Sequence, residues 1–193
     1  LAALAIYGVR RYLQSAKTSE AKNGIGAIIR GAVGAFERET TVNQLLTAGT
    51  SSAFSHDICS SARLVPTLVP LGTKYTPNSN PGCDFETGTA MGGWKCLKFT
   101  ITNPVYYRYG YAGTRIGVTP DDNPDSAVAF AAPAGNSLVD TTYTAAAGNF
   151  IAYAQGDLDG DSIQSNFSKN GTVVQSNSTV VTSTQLFVSQ EYE

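Results

Sequence analysis

Charge is scarce in this chain: charged residues are 15% of the 193, against about 25% in an average soluble domain. There is one histidine, His56, and none of the three cysteines belongs to a Cys-x-x-Cys pair, so a zinc site lacks ligands. No Gly-x-Ser-x-Gly elbow accompanies the neighbouring His56 and Asp57, and neither a Gly-x-Gly-x-x-Gly turn nor a phosphate-binding loop occurs. These absences remove the common hydrolytic and nucleotide sites, and the chain reads as a non-enzyme that requires no cofactor. Dense Lys/Arg patches with interleaved aromatics are missing too, so nucleic acid is not an expected partner. No run of about 20 apolar residues spans a membrane, and no signal-peptide pattern is recognisable. The uncharged start, LAALAIYGV, is expected to be the end of a longer apolar segment.

What is abundant points elsewhere. Ser, Thr, Asn, Tyr and Gly dominate over Lys and Glu, a balance that suits an exported, β-rich protein and so permits a disulfide. Three cysteines, Cys59, Cys83 and Cys96, allow one bridge and one leftover thiol. Pairing Cys59 with Cys96 would tie a long loop to the sheet and is preferred; Cys83 with Cys96 is the alternative.

Residues 1–40 contain no proline and carry apolar residues mostly at helical spacing. One helix of that length would run about 60 Å, longer than a small domain is wide, so part of it must leave the globular body. Ile25, Ile28, Ile29, Ala32, Val33 and Phe36 make one stripe and are expected to lie on the chain's own sheet. Leu1, Leu4, Ile6, Tyr7, Val9 and Leu13 belong to the other half, to about Lys22, which is expected to protrude and meet neighbouring subunits. Glycines inside a helix each cost about 1 kcal/mol against Ala; Gly24 and Gly26 suggest close packing, and Gly8 a soft point. The helix holds six basic residues (Arg10, Arg11, Lys17, Lys22, Arg30, Arg38) and three acidic ones (Glu20, Glu37, Glu39), leaving seven of the 13 basic and twelve of the 15 acidic residues to the rest. A basic rod on an acidic body favours head-to-tail association of like subunits.

Residues 41–193 read as the globular domain. The part 41–92 is expected to be a loop region with a short helical piece at Val42–Leu46; Pro66, Pro70, Pro77 and Pro81 punctuate it. The part 93–193 is expected to form the sheet. Alternation from Gly93 predicts a strand with Trp94, Cys96, Lys98 and Thr100 on one face and Leu97, Phe99 and Ile101 turned to the helix. VYYRYGYA (105–112) predicts a second strand with Tyr107, Tyr109 and Tyr111 on one face. An excursion at 119–137 precedes a strand over Asn149–Gln155, then short strands near 165–167, 171–174 and 185–189. The economical topology is an antiparallel meander, and the fold class is α+β, a long N-terminal helix on an antiparallel sheet.

Two clusters are candidate sites. Asp157, Asp159 and Asp161 have the one-three-five spacing of a calcium loop, with Ser165 at the ninth place. The sixth place holds Ser162 where such loops have Gly, and the twelfth Ser168 where they have Glu, so a solvated Asp/Gly hairpin turn competes with a Ca2+ site. Tyr106, Tyr107, Tyr109 and Tyr111 beside Trp94 could bind a glycan or surface, although Tyr on half-buried strands is ordinarily packing.

Three stretches together resemble the type IV pilins and the related pseudopilins of type II secretion: LAALAIYGVRRYL, GWKCLKFTITNPVYYRYGY and AQGDLDGDSIQSNF. The first is similar to the end of the family's assembly helix. The other two look like the first hairpin and an acidic turn of pilin-like proteins from deltaproteobacteria. The family's processing site, following Phe and assembly Glu have no counterpart among these residues, and Tyr7 stands where many pilins have Pro. The resemblance implies a structural subunit that self-associates into a helical filament through its helix. It also implies use of pilus assembly machinery, residence in the inner membrane before assembly, and a place in an extracellular filament afterwards. A type II secretion pseudopilin, or an adhesive minor pilin that binds a surface or glycan, are the alternatives.

Overall fold

The computed structural model describes residues 2–38, 56–116 and 146–192, with side chains of the first helix described at positions 8 and 9 and from 11 onward. The expected helical piece at 42–46, the excursion at 119–137, Leu1, and the side chains of Leu4, Ile6 and Tyr7 lie outside these residues. Helix α1 runs Ala2–Glu37, about 54 Å at 1.5 Å per residue. Among the described residues six strands follow: β1 (Ala62–Val65), β2 (Arg108–Gly113), β3 (Asn149–Gly156), β4 (Ser165–Val174), β5 (Thr179–Thr182) and β6 (Phe187–Ser189), with a one-turn helix α2 (Gly93–Leu97) between β1 and β2.

All pairings are antiparallel, in the order β1-β2-β3-β4-β5. The far edge of β4 is shared, because β5 pairs Gly171–Val174 and β6 pairs Asn166–Ser168. The α+β class with a long helix on an antiparallel sheet is therefore observed. The expected stripe of α1 is buried at Ile25, Ile28, Ile29, Ala32 and Phe36, with Ala21 and Ala35 added, while Val33 packs against the core partly exposed. It meets Tyr107, Tyr109, Tyr111, Phe150 and Phe167 of the sheet in one core.

Three features differ from the sequence reading. The segment from Gly93 is not a strand: it makes α2, and Lys98 then turns into the left-handed region at φ 51°. Trp94, Cys96, Leu97 and Phe99 are all buried, so neither parity is a polar face and the alternation misleads. The Trp94 ring packs on Phe85 and Phe99, and its Nε1 donates to the Arg63 carbonyl at 2.8 Å. Secondly, the loop region 41–92 supplies a sheet strand, β1, which pairs with β2 around Tyr109 and Tyr111. Thirdly, the two short strands expected around 165–174 are one strand, and β5 was not foreseen at all.

The disulfide joins Cys59 to Cys96 with a Cα–Cα distance of 5.8 Å, and Cys83 is a free thiol. The bridge holds the segment before β1 against α2, which in turn lies on α1. There the backbone of α1 comes close: a Cβ on Gly31 would sit 2.4 Å from the Leu97 carbonyl oxygen, and one on Gly24 would sit 2.3 Å from the Tyr109 ring. Gly26 has no such neighbour besides Arg30 of its own helix.

Candidate functional site

The first third of α1 carries the exposed surface. Val9, Tyr12 and Leu13 are 58%, 74% and 52% exposed, and Ala16 is exposed beside them. At 100° per residue these four share one side of the helix, opposite the side on which Thr18, Ala21 and Ile25 are buried. One rod thus presents two apolar faces: one, in its second half, is satisfied by the chain's own sheet. The other meets nothing among the described residues. Among the described residues no helix is long and apolar enough to cross a membrane.

The protruding part is shorter than the sequence suggests, because the C-terminus clips onto α1. Gln14 Nε2 donates to the Tyr192 carbonyl at 3.0 Å, the Arg11 guanidinium lies 4.3 Å from the centre of the Tyr192 ring, and Lys22 pairs with Glu191. No local pattern in the sequence marks these contacts, which join residues about 170 positions apart.

Between clip and core lies the Glu20 joint. Tyr106 N–H donates to Glu20 Oε1 at 2.8 Å, and the Tyr109 hydroxyl donates to the Glu20 carbonyl oxygen at 3.2 Å. The Tyr106 ring lies under two ammonium groups, Lys17 at 4.5 Å and Lys74 at 4.8 Å. Burial pushes the Glu20 carboxyl above its ordinary value, and the Tyr106 N–H and Lys74 offset only part of that rise. A raised carboxyl binds its proton more tightly folded than unfolded. Its contribution to stability is complete below the unfolded value of about 4.5 and is lost as pH rises through the folded one. Glu20→Gln, which keeps an acceptor for Tyr106, is expected to remove that loss; melting curves from pH 4 to pH 7 would show a shallower decline than in the wild type, and parallel curves would refute it. Elsewhere the Tyr75 hydroxyl donates to Asp84 at 2.7 Å, and that bond holds Tyr75 up at about 12.

Trp94, Tyr107, Tyr109 and Tyr111 are at most 1% exposed. They are core, and of the aromatic cluster only Tyr106 reaches solvent. Burial raises the hydroxyls of Tyr107 and Tyr109 well above the ordinary phenol range.

The acidic turn connects β3 to β4. One carboxylate oxygen from each of Asp157, Asp159 and Asp161 lies within 4.8 Å of the others, so three hard-cation donors do converge. The turn's own backbone uses them as well. Asp157 accepts the Gly160 and Ser162 N–H groups on its two oxygens at 2.5 and 2.8 Å, Asp159 accepts Asp161 N–H, and Asp161 accepts Ile163 N–H at 2.7 Å. The ninth and twelfth places of a calcium loop are drawn away: Ser165 and Ser168 are buried in β4, and Ser165 Oγ donates to the Gly156 carbonyl. The remaining donor set is three carboxylates on a hydrogen-bonded turn, two of them exposed. Comparison with protein-family models, with curated proteins and with solved structures finds no match for this chain.

Proposed function

We propose that the chain is a structural subunit of a helical filament of the type IV pilus kind, assembling through α1. The observation that carries this reading is the second apolar face of α1, with Val9, Tyr12 and Leu13 exposed on the side away from the domain. An apolar stripe on a protruding rod is stabilised by burial against other copies, at about 25 cal/mol per Å2 of apolar surface removed from water. The sheet is then the body carried on the outside of a helix bundle. On this reading the subunit passes through the inner membrane and pilus assembly machinery before entering an extracellular filament.

The test is substitution on the exposed stripe. Val9→Asp with Leu13→Asp touches no core contact, so the melting temperature of the domain should change by no more than a degree or two. Filament yield, scored by electron microscopy of sheared cell-surface material and mass spectrometry of its main subunit, should fall at least tenfold. Unchanged filaments from the double variant, or filaments lacking this chain, would overturn the reading.

A further inference from the structure

The back of α1 carries a second surface that the described residues leave open. Two adjoining grooves of about 580 and 500 Å3 share Arg30 and Gly34. One lies towards α2, lined by Lys98 and Thr100, and the other towards the sheet edge, lined by Lys169 and Thr182. The floor has little side chain. A Cβ on Gly34 would meet nothing within 4 Å, and one on Gly26 only Arg30 Nη1 at 3.5 Å. Each of these glycines costs the helix about 1 kcal/mol, and packing among the described residues accounts for neither, in contrast to Gly24 and Gly31. The rim is cationic: Arg30, Lys98 and Lys169 face a single acid, Glu37, and none of the three basic groups makes an ion pair among the described residues.

The same chain carries a complement. Asp159, Gly160 and Asp161 are exposed at the tip of the β3–β4 turn, the two carboxylates held by N–H groups of their own turn. Gly160 has nothing near its Cβ position, so the tip is narrow and can approach a glycine floor. The turn cannot reach the groove of its own molecule. It leaves β3 after Gly156 and enters β4 at Ser165, whereas Lys169 lies four residues further along β4 opposite Ala152, about 13 Å up the strand. The protruding helix of a second copy is the poorer occupant, because Arg10, Arg11 and Lys17 would meet the cationic rim.

We infer that the Asp159-Gly160-Asp161 turn of one copy docks into the glycine-floored groove of the next, its carboxylates against Arg30, Lys98 and Lys169. This rests on the filament reading and adds to it a contact between domains, separate from the bundled helices. Turn and groove are different surfaces, so the contact is head-to-tail and does not close on itself, which is the geometry of an open filament.

The experiment uses the full chain, with self-association followed by sedimentation and filaments by electron microscopy at low and at high salt. Arg30→Glu with Lys98→Glu makes a groove variant; Asp159→Lys with Asp161→Lys makes a turn variant. All four side chains are exposed, and unchanged circular dichroism melts verify the fold. Asp159→Asn with Asp161→Asn is the milder turn variant, because it keeps the acceptors the turn's N–H groups need. Each variant alone should associate at least tenfold more weakly than the wild type. The groove and turn variants mixed should associate again in alternation, because every junction between unlike copies joins either the unchanged turn and groove or the pair whose charges are both reversed. Wild-type-like filaments from each variant would overturn the docking and leave the filament reading standing, as would a mixture that fails to pair. A wild type that never self-associates would remove both.

Discussion

Removing the Cys59–Cys96 bridge is expected to cost about 3–4 kcal/mol, the chain-entropy value for a closed loop of this size; the cysteines are 37 residues apart. In a chain of this length that is a fall of roughly 10 °C in melting temperature. The loss should exceed a simple loop effect in one respect. Cys96 lies on α2, whose carbonyls contact α1 directly: Arg38 Nη2 donates to the Cys96 carbonyl and Gly31 sits against the Leu97 carbonyl. Freeing Cys59 therefore loosens the support of the helix as well as the entry to β1. The check is a pair of melts, with and without reductant, on wild type and on Cys59→Ser with Cys96→Ser. The serine variant should match the reduced wild type and ignore reductant. Cys83→Ser, at the free thiol, should leave both melts unchanged. A Cys83→Ser variant that melts like the reduced wild type and ignores reductant would mean that the stabilising bridge involves Cys83.

Two alanine substitutions three residues apart on α1 are expected to have opposite signs. By propensity alone each should stabilise the helix by about 1 kcal/mol. At Gly34, where a Cβ would meet nothing within 4 Å, that gain should appear in full. At Gly31 the same methyl would lie 2.4 Å from the Leu97 carbonyl oxygen, a backbone atom that cannot swing aside. Relief requires α2 to move off α1, and overpacking of this kind costs about 1–3 kcal/mol. Gly31→Ala should thus lower the urea midpoint while Gly34→Ala raises it. Equal stabilisation at both positions would show that α1 and α2 do not meet as described. The stabilising result at Gly34 would also show that monomer stability does not call for this glycine, as expected of a residue kept clear for a second molecule.

How much of this was legible beforehand depends on whether the deciding contacts are local. The helical stripe from Ile25 to Phe36, the common face of Tyr107, Tyr109 and Tyr111, and the strand at Asn149 were readable because period 3.6 or period 2 is a property of neighbouring residues. WKCLKF failed because the core takes Trp94, Cys96, Leu97 and Phe99 together. Once both parities are buried, alternation carries no information about strand or helix. β1 and β5 have four residues each, too few for a period to show, and their pairings with β2 and β4 supply what their sequences do not. For the site, the acidic turn was visible as Asp spacing, but the withdrawal of Ser165 and Ser168 into β4 was not.

The sequence by itself determined a prolonged helix with one packing stripe, an antiparallel sheet behind it, an excess of cations on the rod, and a choice of two disulfides. Tertiary structure decided which disulfide forms and that the tyrosines are core. It also decided that the C-terminus clips Arg11 to Lys22 and that Glu20 closes on Tyr106. Those contacts join residues 37 to about 180 positions apart, and no pattern of neighbours encodes a distance of that kind. The cationic groove behind α1 belongs with them: Arg30, Lys98 and Lys169 are scattered in the sequence, and only packing α2 and β4 on either side of the same helix brings their charges to one place.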